Sequence, residues 1–216
     1  GRMSGGRYSG IAPGCNLIMV KVLDRKGNGY SSDVLAGISW VLERKEQLGI
    51  RILNISVGAC SKRGMSENSA LVKGVNRAWD AGLVVVVAAG NNGPRTMSIT
   101  TPGISRKVIT VGCSDDDREV LVGGNRMVDY SGRGPTAACI CKPDLVAPGC
   151  SVVSCSSRAD KYTIKSGTSM STPIVSGAVA LLLERFPDMS NKDVKLRLRE
   201  SSVDIGLPRN QQGWGL

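Results

Sequence analysis

The chain has 216 residues, 41% of them apolar, and this is enough to bury one sizeable core in one domain. It carries 28 basic and 18 acidic residues for a net charge of +10, but the basic residues are scattered and aromatics make up only 4%. There is no stacking platform or arginine stripe for nucleic acid, and the longest apolar run, 83–89, is far too short to cross a bilayer. Neither nucleic acid nor membrane is expected as a partner.

In chain order, Tyr8 to Pro13 reads as a turn. Leu17 to Leu23 (LIMVKVL) is a near-continuous apolar run of strand length, predicted to be a buried parallel strand. After the flexible Gly27-Asn28-Gly29 loop, Ser31 or Ser32 can cap a helix whose apolar positions Val34, Leu35, Ile38, Val41, Leu42 and Leu48 follow a 3.6-residue period, ended by Gly49. A second strand, Ile50 to Val57, leads through a basic loop at 61–66 to a second amphipathic helix marked by Leu71, Val72, Val75, Ala78 and Trp79, closed by Gly82. Leu83 to Ala89 is a third strand and Lys107 to Cys113 a fourth. Strands alternating with helices predict an α/β fold of three layers, a mostly parallel sheet with helices on both faces. In such sheets ligands bind beyond the carboxyl ends of the strands, where the Gly27-Asn28-Gly29 loop, Ser56-Val57-Gly58 and Asn91 would share one rim.

The alternation loosens after the fourth strand. Asp115 to Arg118 reads as a charged turn, Asp129 to Pro135 as a glycine-rich loop, and Lys142 to Gly149 as a short apolar piece between prolines. Val152–Ser156 and Tyr162–Lys165 predict a small antiparallel pair. Ser190 caps a last helix, with Asp193 three residues on in a capping-box arrangement.

Seven cysteines are present, an odd number, without the paired C-x-x-C spacing of a structural zinc site. No metal ligand set is predicted. Cys15, Cys60 and Cys113 have apolar or small neighbours, and the set reads as free thiols serving mostly as small hydrophobes, which leans weakly towards a reducing compartment.

The stretch Lys165 to Phe186 (KSGTSMSTPIVSGAVALLLERF) combines a turn at Gly167, a run of small hydroxyl and sulfur side chains, and an apolar helix-like segment. A serine at a helix N-terminus is well placed as a nucleophile, since unpaired amides and the helix dipole favour developing negative charge. The plainer alternative makes Thr172 an N-cap and Pro173 the first helical residue. Asn91, on a glycine-flanked turn after the third strand, can donate to an oxyanion or serve only as a turn residue.

Taken together, these segments resemble the subtilisin-like serine proteases over essentially all 216 residues. SGTSMSTPIVSGAVALLL resembles their nucleophile motif, VVVVAAGNNGP their oxyanion asparagine segment, and ILNISVGA their substrate-binding strand, while GIAP, VKVLDRKGNG and KPDLVAPG fall in the same order at similar spacing. The resemblance implies that Ser169 is the acylated nucleophile, with its own backbone amide and the Asn91 side chain forming the oxyanion hole. Ser56-Val57-Gly58 and Ala88-Ala89-Gly90 would line the two sides of the primary specificity pocket. Gly27-Asn28-Gly29 would pair with the backbone of a polypeptide substrate as an added strand. Cofactors are not implied, apart from the calcium common in the family, for which no carboxylate cluster is recognisable in 1–6 or elsewhere. The family is often secreted.

The chain departs from the family in lacking histidine altogether. In subtilisin the triad runs Asp, His, Ser, and Asp24 and Asp33 lie beyond the positions of the first two. Ile174 also replaces a usual family histidine that is not the base. The chain therefore reads as a partial subtilisin-like peptidase catalytic domain, residues 1–216 lacking the N-terminal strands, whose Asp and His would come from an upstream segment or a second chain. As it stands it should be nearly inactive. The alternative is a pseudoprotease that keeps the groove for peptide binding or regulation. An intact Ser169 and Asn91 favour the former. In the family's sheet the strand ending in the catalytic aspartate lies between those matching Leu17 to Leu23 and Ile50 to Val57, so its absence would leave two strand edges facing a gap, and the isolated chain is expected to be unstable or molten.

Overall fold

The computed structural model describes residues 8–59, 66–156 and 162–216. Four strands form the central sheet: β1 (Ile52–Ile55), β2 (Val84–Ala88), β3 (Ile109–Cys113) and β6 (Leu145–Ala147), in the order β1-β2-β3-β6 and all parallel. Two antiparallel hairpins lie apart from it, β4 (Val120–Val122) with β5 (Asn125–Met127) and β7 (Val152–Cys155) with β8 (Tyr162–Lys165). Among the described residues there are five helices: α1 (Ser31–Arg44), α2 (Ala70–Asp80), α3 (Thr168–Arg185), α4 (Asn191–Ser201) and the short α5 (Arg209–Gln212).

Every residue of β2 is buried, as required of a strand paired on both sides and covered on both faces. Helix α3 packs along all four strands through Val175, Val179 and Leu183, and α2 packs on β2, giving the three-layer α/β arrangement. Close approach of α1 to α2 depends on Gly74, where an added Cβ would stand 2.6 Å from Leu35 Cδ2. Asn191, buried at the start of α4, donates to the carbonyls of Trp79 and Leu83 and ties α4 to the α2–β2 turn. The capping box at Ser190 and Asp193 forms as predicted.

Leu17 to Leu23 is not a strand. Leu17 and Met19 are 79% and 88% exposed, and Val20 and Val22 lie against α1 near Gly37 instead of pairing with β1. An apolar run acquires strand geometry only when a neighbour accepts its backbone bonds, and one side of β1 has no partner among the described residues.

Other boundaries shift for local reasons. Tyr30, not Ser31 or Ser32, occupies the N-cap of α1, where its backbone N–H donates to the Asp33 carboxylate. Helix α1 ends at Arg44; Leu48 lies beyond it, exposed, in a turn closed by Gly49 at φ +61. Lys142 to Gly149 contains β6, a true sheet strand that reads as a mere apolar piece because only three residues pair with β3. The hairpin β4–β5 turns on Gly123-Gly124, both at positive φ, a two-residue signal present in the sequence and overlooked. The loop at 61–65 and Cys60 lie outside the described residues, as do residues 1–7. No described helix is long and apolar enough to cross a membrane.

Beneath the sheet's β3–β6 end lies a buried ionic group. Lys142 Nζ contacts Asp144 at 2.5 Å and donates to the Val108 carbonyl; Asp144 also accepts from the Thr110 N–H, and Lys195 stands 3.4 Å from its other oxygen. Burial lowers the Lys142 ammonium to a pKa of about 8, against the attraction of Asp144.

Candidate active site

Helix α3 starts earlier than a Thr172 cap would allow. Gly167 is its N-cap at φ +141, a backbone conformation that favours glycine, and an added Cβ there would crowd the Asn91 amide nitrogen at 3.2 Å. Thr168 and Ser169 are therefore the first two helical residues. Thr172 lies inside the helix with its hydroxyl bonded to the Thr168 carbonyl, and Pro173 is interior. This puts Ser169 in the first turn, where backbone amides lack helical acceptors.

Asn91 reaches the same point from the end of β2. Its Oδ1 accepts from both the N–H and the hydroxyl of Thr168, each at 3.0 Å, while Thr168 Oγ1 accepts from the Gly90 N–H at 3.1 Å. With Oδ1 held by two donors, the amide nitrogen is the end turned to other acceptors. Thr168, fully buried, thus orients Asn91 and joins the β2 turn to helix α3. The sequence reading missed this role; the signal was the hydroxyl residue immediately before Ser169.

Ser169 Oγ donates to the Ser56 carbonyl at 2.8 Å, which brings the segment following β1 to the same place. Because β1 and β2 are adjacent and in register from Ile52↔Val84 to Ile55↔Val87, the Ser56-Val57-Gly58 and Ala88-Ala89-Gly90 segments leave neighbouring strand ends together. Thr100 fits between them. A Cβ on either Gly58 or Gly90 would stand 2.5 Å from Thr100 Oγ1, and Thr100 is held by its N–H bond to the Ala89 carbonyl. The buried Thr100 side chain thus fills the space between Gly58 and Gly90.

The Gly27-Asn28-Gly29 loop is not joined to this cluster by any described contact. Asp24 organises it, accepting from the Lys26 and Asn28 amides and pairing its own N–H with the Asn28 carbonyl. Asp33 caps α1. Ile174 packs against the main core.

Behind the start of α3 lies a second cluster that the sequence reading also missed. Cys113 Sγ and Cys150 Sγ each stand 3.2 Å from the Tyr130 hydroxyl, and Cys113 Sγ lies 3.1 Å from Asp115 Oδ1. Burial pushes the Cys113 thiol and the Tyr130 phenol well above their usual ranges, so neither is an activated nucleophile. Asp115 and Asp116 are not merely an exposed turn: Asp116 is buried, accepts from the Ser131 N–H at 2.7 Å, and has its carboxyl raised chiefly by burial. The small-hydrophobe reading of the cysteines suits Cys113 and, in part, Cys150 packed beside it, but not Cys15, Cys139, Cys141 and Cys155, which are exposed; all six described cysteines are free. The sulfur donors of this cluster do not suit calcium, which takes oxygen ligands, and among the described residues no other group of three acidic or thiol side chains lies close enough to share an ion.

In a parallel α/β sheet, a serine thus lies in the first turn of a helix, with an asparagine at the end of a neighbouring strand hydrogen-bonded to the residue before the serine. The model of the subtilase family matches residues 1–215, and the chain belongs to that family. Serine protease AprX of Bacillus subtilis (strain 168) is 39% identical over 219 residues, covering 94% of this chain and 50% of that protein. Subtilisin DY of Bacillus licheniformis is 34% identical over 91% of this chain and 64% of its own length. Among solved structures, a psychrophilic protease superposes with a TM-score of 0.78 at 29% identity, covering 99% of this chain and 72% of its own, and sphericase with 0.73 at 31% identity, covering 91% and 66%. The chain thus spans about half to two thirds of the length of these curated relatives.

Proposed function

We propose that this chain carries the nucleophile half of a serine endopeptidase that hydrolyses peptide bonds through an acyl-enzyme on Ser169. The observation that supports it best is the pair of hydrogen bonds donated by the Thr168 N–H and hydroxyl to Asn91 Oδ1, which fixes an amide donor next to the serine at a helix N-terminus. Attack by Ser169 Oγ on a peptide carbonyl would place the developing oxyanion between the Ser169 backbone N–H and the Asn91 amide nitrogen. The substrate side chain preceding the scissile bond would enter the slot between Ser56-Val57-Gly58 and Ala88-Ala89-Gly90, and Thr100 limits its depth.

The proton on Ser169 has nowhere productive to go within this chain. The hydroxyl donates its hydrogen bond to the Ser56 carbonyl, which is not a base, and the sequence contains no histidine. The Asp and His of the triad are therefore supplied by residues outside the 216, upstream or on a partner chain, and the chain alone retains at most the residual catalysis of an oxyanion hole and binding groove, about 10³ to 10⁴-fold over water. A second reading, a pseudoprotease that holds peptides in the groove, draws on the same Ser169–Ser56 bond.

Peptide hydrolysis by the complete natural protein, compared with its Ser169→Ala and Asn91→Leu variants, separates the two. Hydrolysis that vanishes with Ser169→Ala supports the protease. Peptide binding without turnover, unaffected by Ser169→Ala, supports the pseudoprotease.

A further inference from the structure

We propose that Cys113, Cys150 and Asp115 form a site for a thiophilic divalent metal ion, zinc or cadmium in character, set directly behind the N-terminus of α3. The three ligand atoms, two sulfurs and a carboxylate oxygen, lie within 4.8 Å of one another. Tetrahedral zinc with Zn–S bonds of about 2.3 Å needs donor separations of roughly 3.5–4 Å, so small rotations of the side chains close the site.

The cluster borders a small apolar core of Cys113, Val122 and Tyr130, and its polar atoms form an orienting shell of hydrogen bonds. The Asp115 oxygen is held in position by the Gly149 N–H at 2.7 Å and the Cys150 N–H at 3.1 Å, and the Tyr130 hydroxyl touches both sulfurs. These are outer-shell partners that orient ligands. A carboxylate oxygen 3.1 Å from a fully buried thiol, with a second thiol sulfur within 4.8 Å, is a poor arrangement for apolar packing and a good one for a cation. An independent feature points the same way: the Ser171 hydroxyl is fully buried with no hydrogen-bond partner, and it converges with Cys113 Sγ on Gly149, where an added Cβ would run into Ser171 Oγ and stand 2.8 Å from that sulfur. A polar atom is thus left over beside the cluster. The exposed thiols Cys15, Cys139, Cys141 and Cys155 share none of this.

On binding, each thiol gives its proton to solvent as its sulfur takes up the metal, and no oxidant is required. Three protein ligands leave a fourth position for water or the Tyr130 oxygen. The site is linked to the start of α3 by two hydrogen bonds through Gly149: its N–H donates to Asp115, and its carbonyl accepts the N–H of Gly167, the N-cap of α3, at 2.9 Å. The inference rests on the cluster itself and does not depend on the protease reading.

The test is titration of the intact protein with Cd²⁺ in a Cys139→Ser/Cys141→Ser background, which removes the adjacent exposed thiols. One equivalent should give a cadmium–thiolate charge-transfer band, and Cys113→Ser or Cys150→Ser should abolish it. Tyr130→Phe should weaken binding by about 10- to 100-fold. Because Cys113→Ser is a core substitution, alkylation of the half-buried Cys150 in the otherwise unaltered protein provides a second readout, and saturating Zn²⁺ should slow it at least tenfold. Absence of the band, its persistence in Cys150→Ser, unchanged Cys150 alkylation, or an intact mass showing Cys113 and Cys150 joined as a disulfide would each overturn the proposal.

Discussion

Thr168→Val is the substitution that most sharply probes how the site is built. It preserves shape at a fully buried position and removes one oxygen that makes two bonds, a donation to Asn91 Oδ1 at 3.0 Å and an acceptance from Gly90 N–H at 3.1 Å. The Thr168 backbone N–H still holds Oδ1, so the Asn91 amide is loosened rather than lost. A net hydrogen bond is worth about 0.5–1.5 kcal/mol, which corresponds to a fall in kcat of about 2- to 13-fold if all of it is expressed in the transition state. Asn91→Leu, which removes the donor, should cost about 10² to 10³ in kcat, a range measured in a subtilisin. The assay is a double-mutant cycle in the protein complete with its Asp and His, reading kcat and KM on a peptide substrate. If Thr168 acts through Asn91, the double variant is no slower than Asn91→Leu alone, and KM is unchanged throughout. Full additivity of the two losses would refute the positioning role.

Further expectations concern the pocket, the ionic core and the sheet edge. Thr100→Gly should deepen the slot and shift preference towards larger side chains before the scissile bond, while Gly90→Ala should abolish turnover, since Gly90 sits at φ +94 against Thr100; profiling a peptide library tests both. Asp144→Ala leaves Lys142 buried without its counter-charge and should cost about 3–5 kcal/mol in urea unfolding. Lys142 loses its proton near pH 8 when folded and near 10.5 when unfolded, so the unfolded state binds more protons between these values and the contribution of Lys142 to stability rises with pH across that window. Stability relative to Lys142→Met should climb from pH 8 to 10.5; a flat or falling difference contradicts the assignment. The 216 residues expressed alone should lack a cooperative monomeric unfolding transition, because one side of β1 and the apolar 17–20 stretch are uncovered, and adding the segment that carries the missing Asp and His should restore one.

Much of the architecture could be read from local pattern. The 3.6-residue period of α2, the five-residue valine-rich β2 and the Ser190 capping box are determined by neighbours in sequence, and they form where predicted. Leu17 to Leu23 failed for the opposite reason: its composition is that of a buried strand, but strand geometry depends on a partner that the pattern of one segment cannot supply. The short β6 was underestimated because its identity as a strand comes from pairing with β3, 34 residues earlier. At the site, Ser169 and Asn91 were visible through their glycine-flanked motifs. Thr168 was not, since its role is a bond across 77 positions, and the Cys113–Asp115–Cys150 cluster assembles over 37 residues with no motif spacing to announce it.

The most direct test of the central claim is labelling with a fluorophosphonate probe, with the adduct mapped by peptide mass. The 216-residue chain alone should label negligibly, because Ser169 shares its proton only with the Ser56 carbonyl. Once the segment or chain bearing the Asp and His is present, labelling should occur on Ser169, and Ser169→Ala should remove it. Labelling at another residue, or none in the completed protein, would contradict the assignment of Ser169 as the nucleophile.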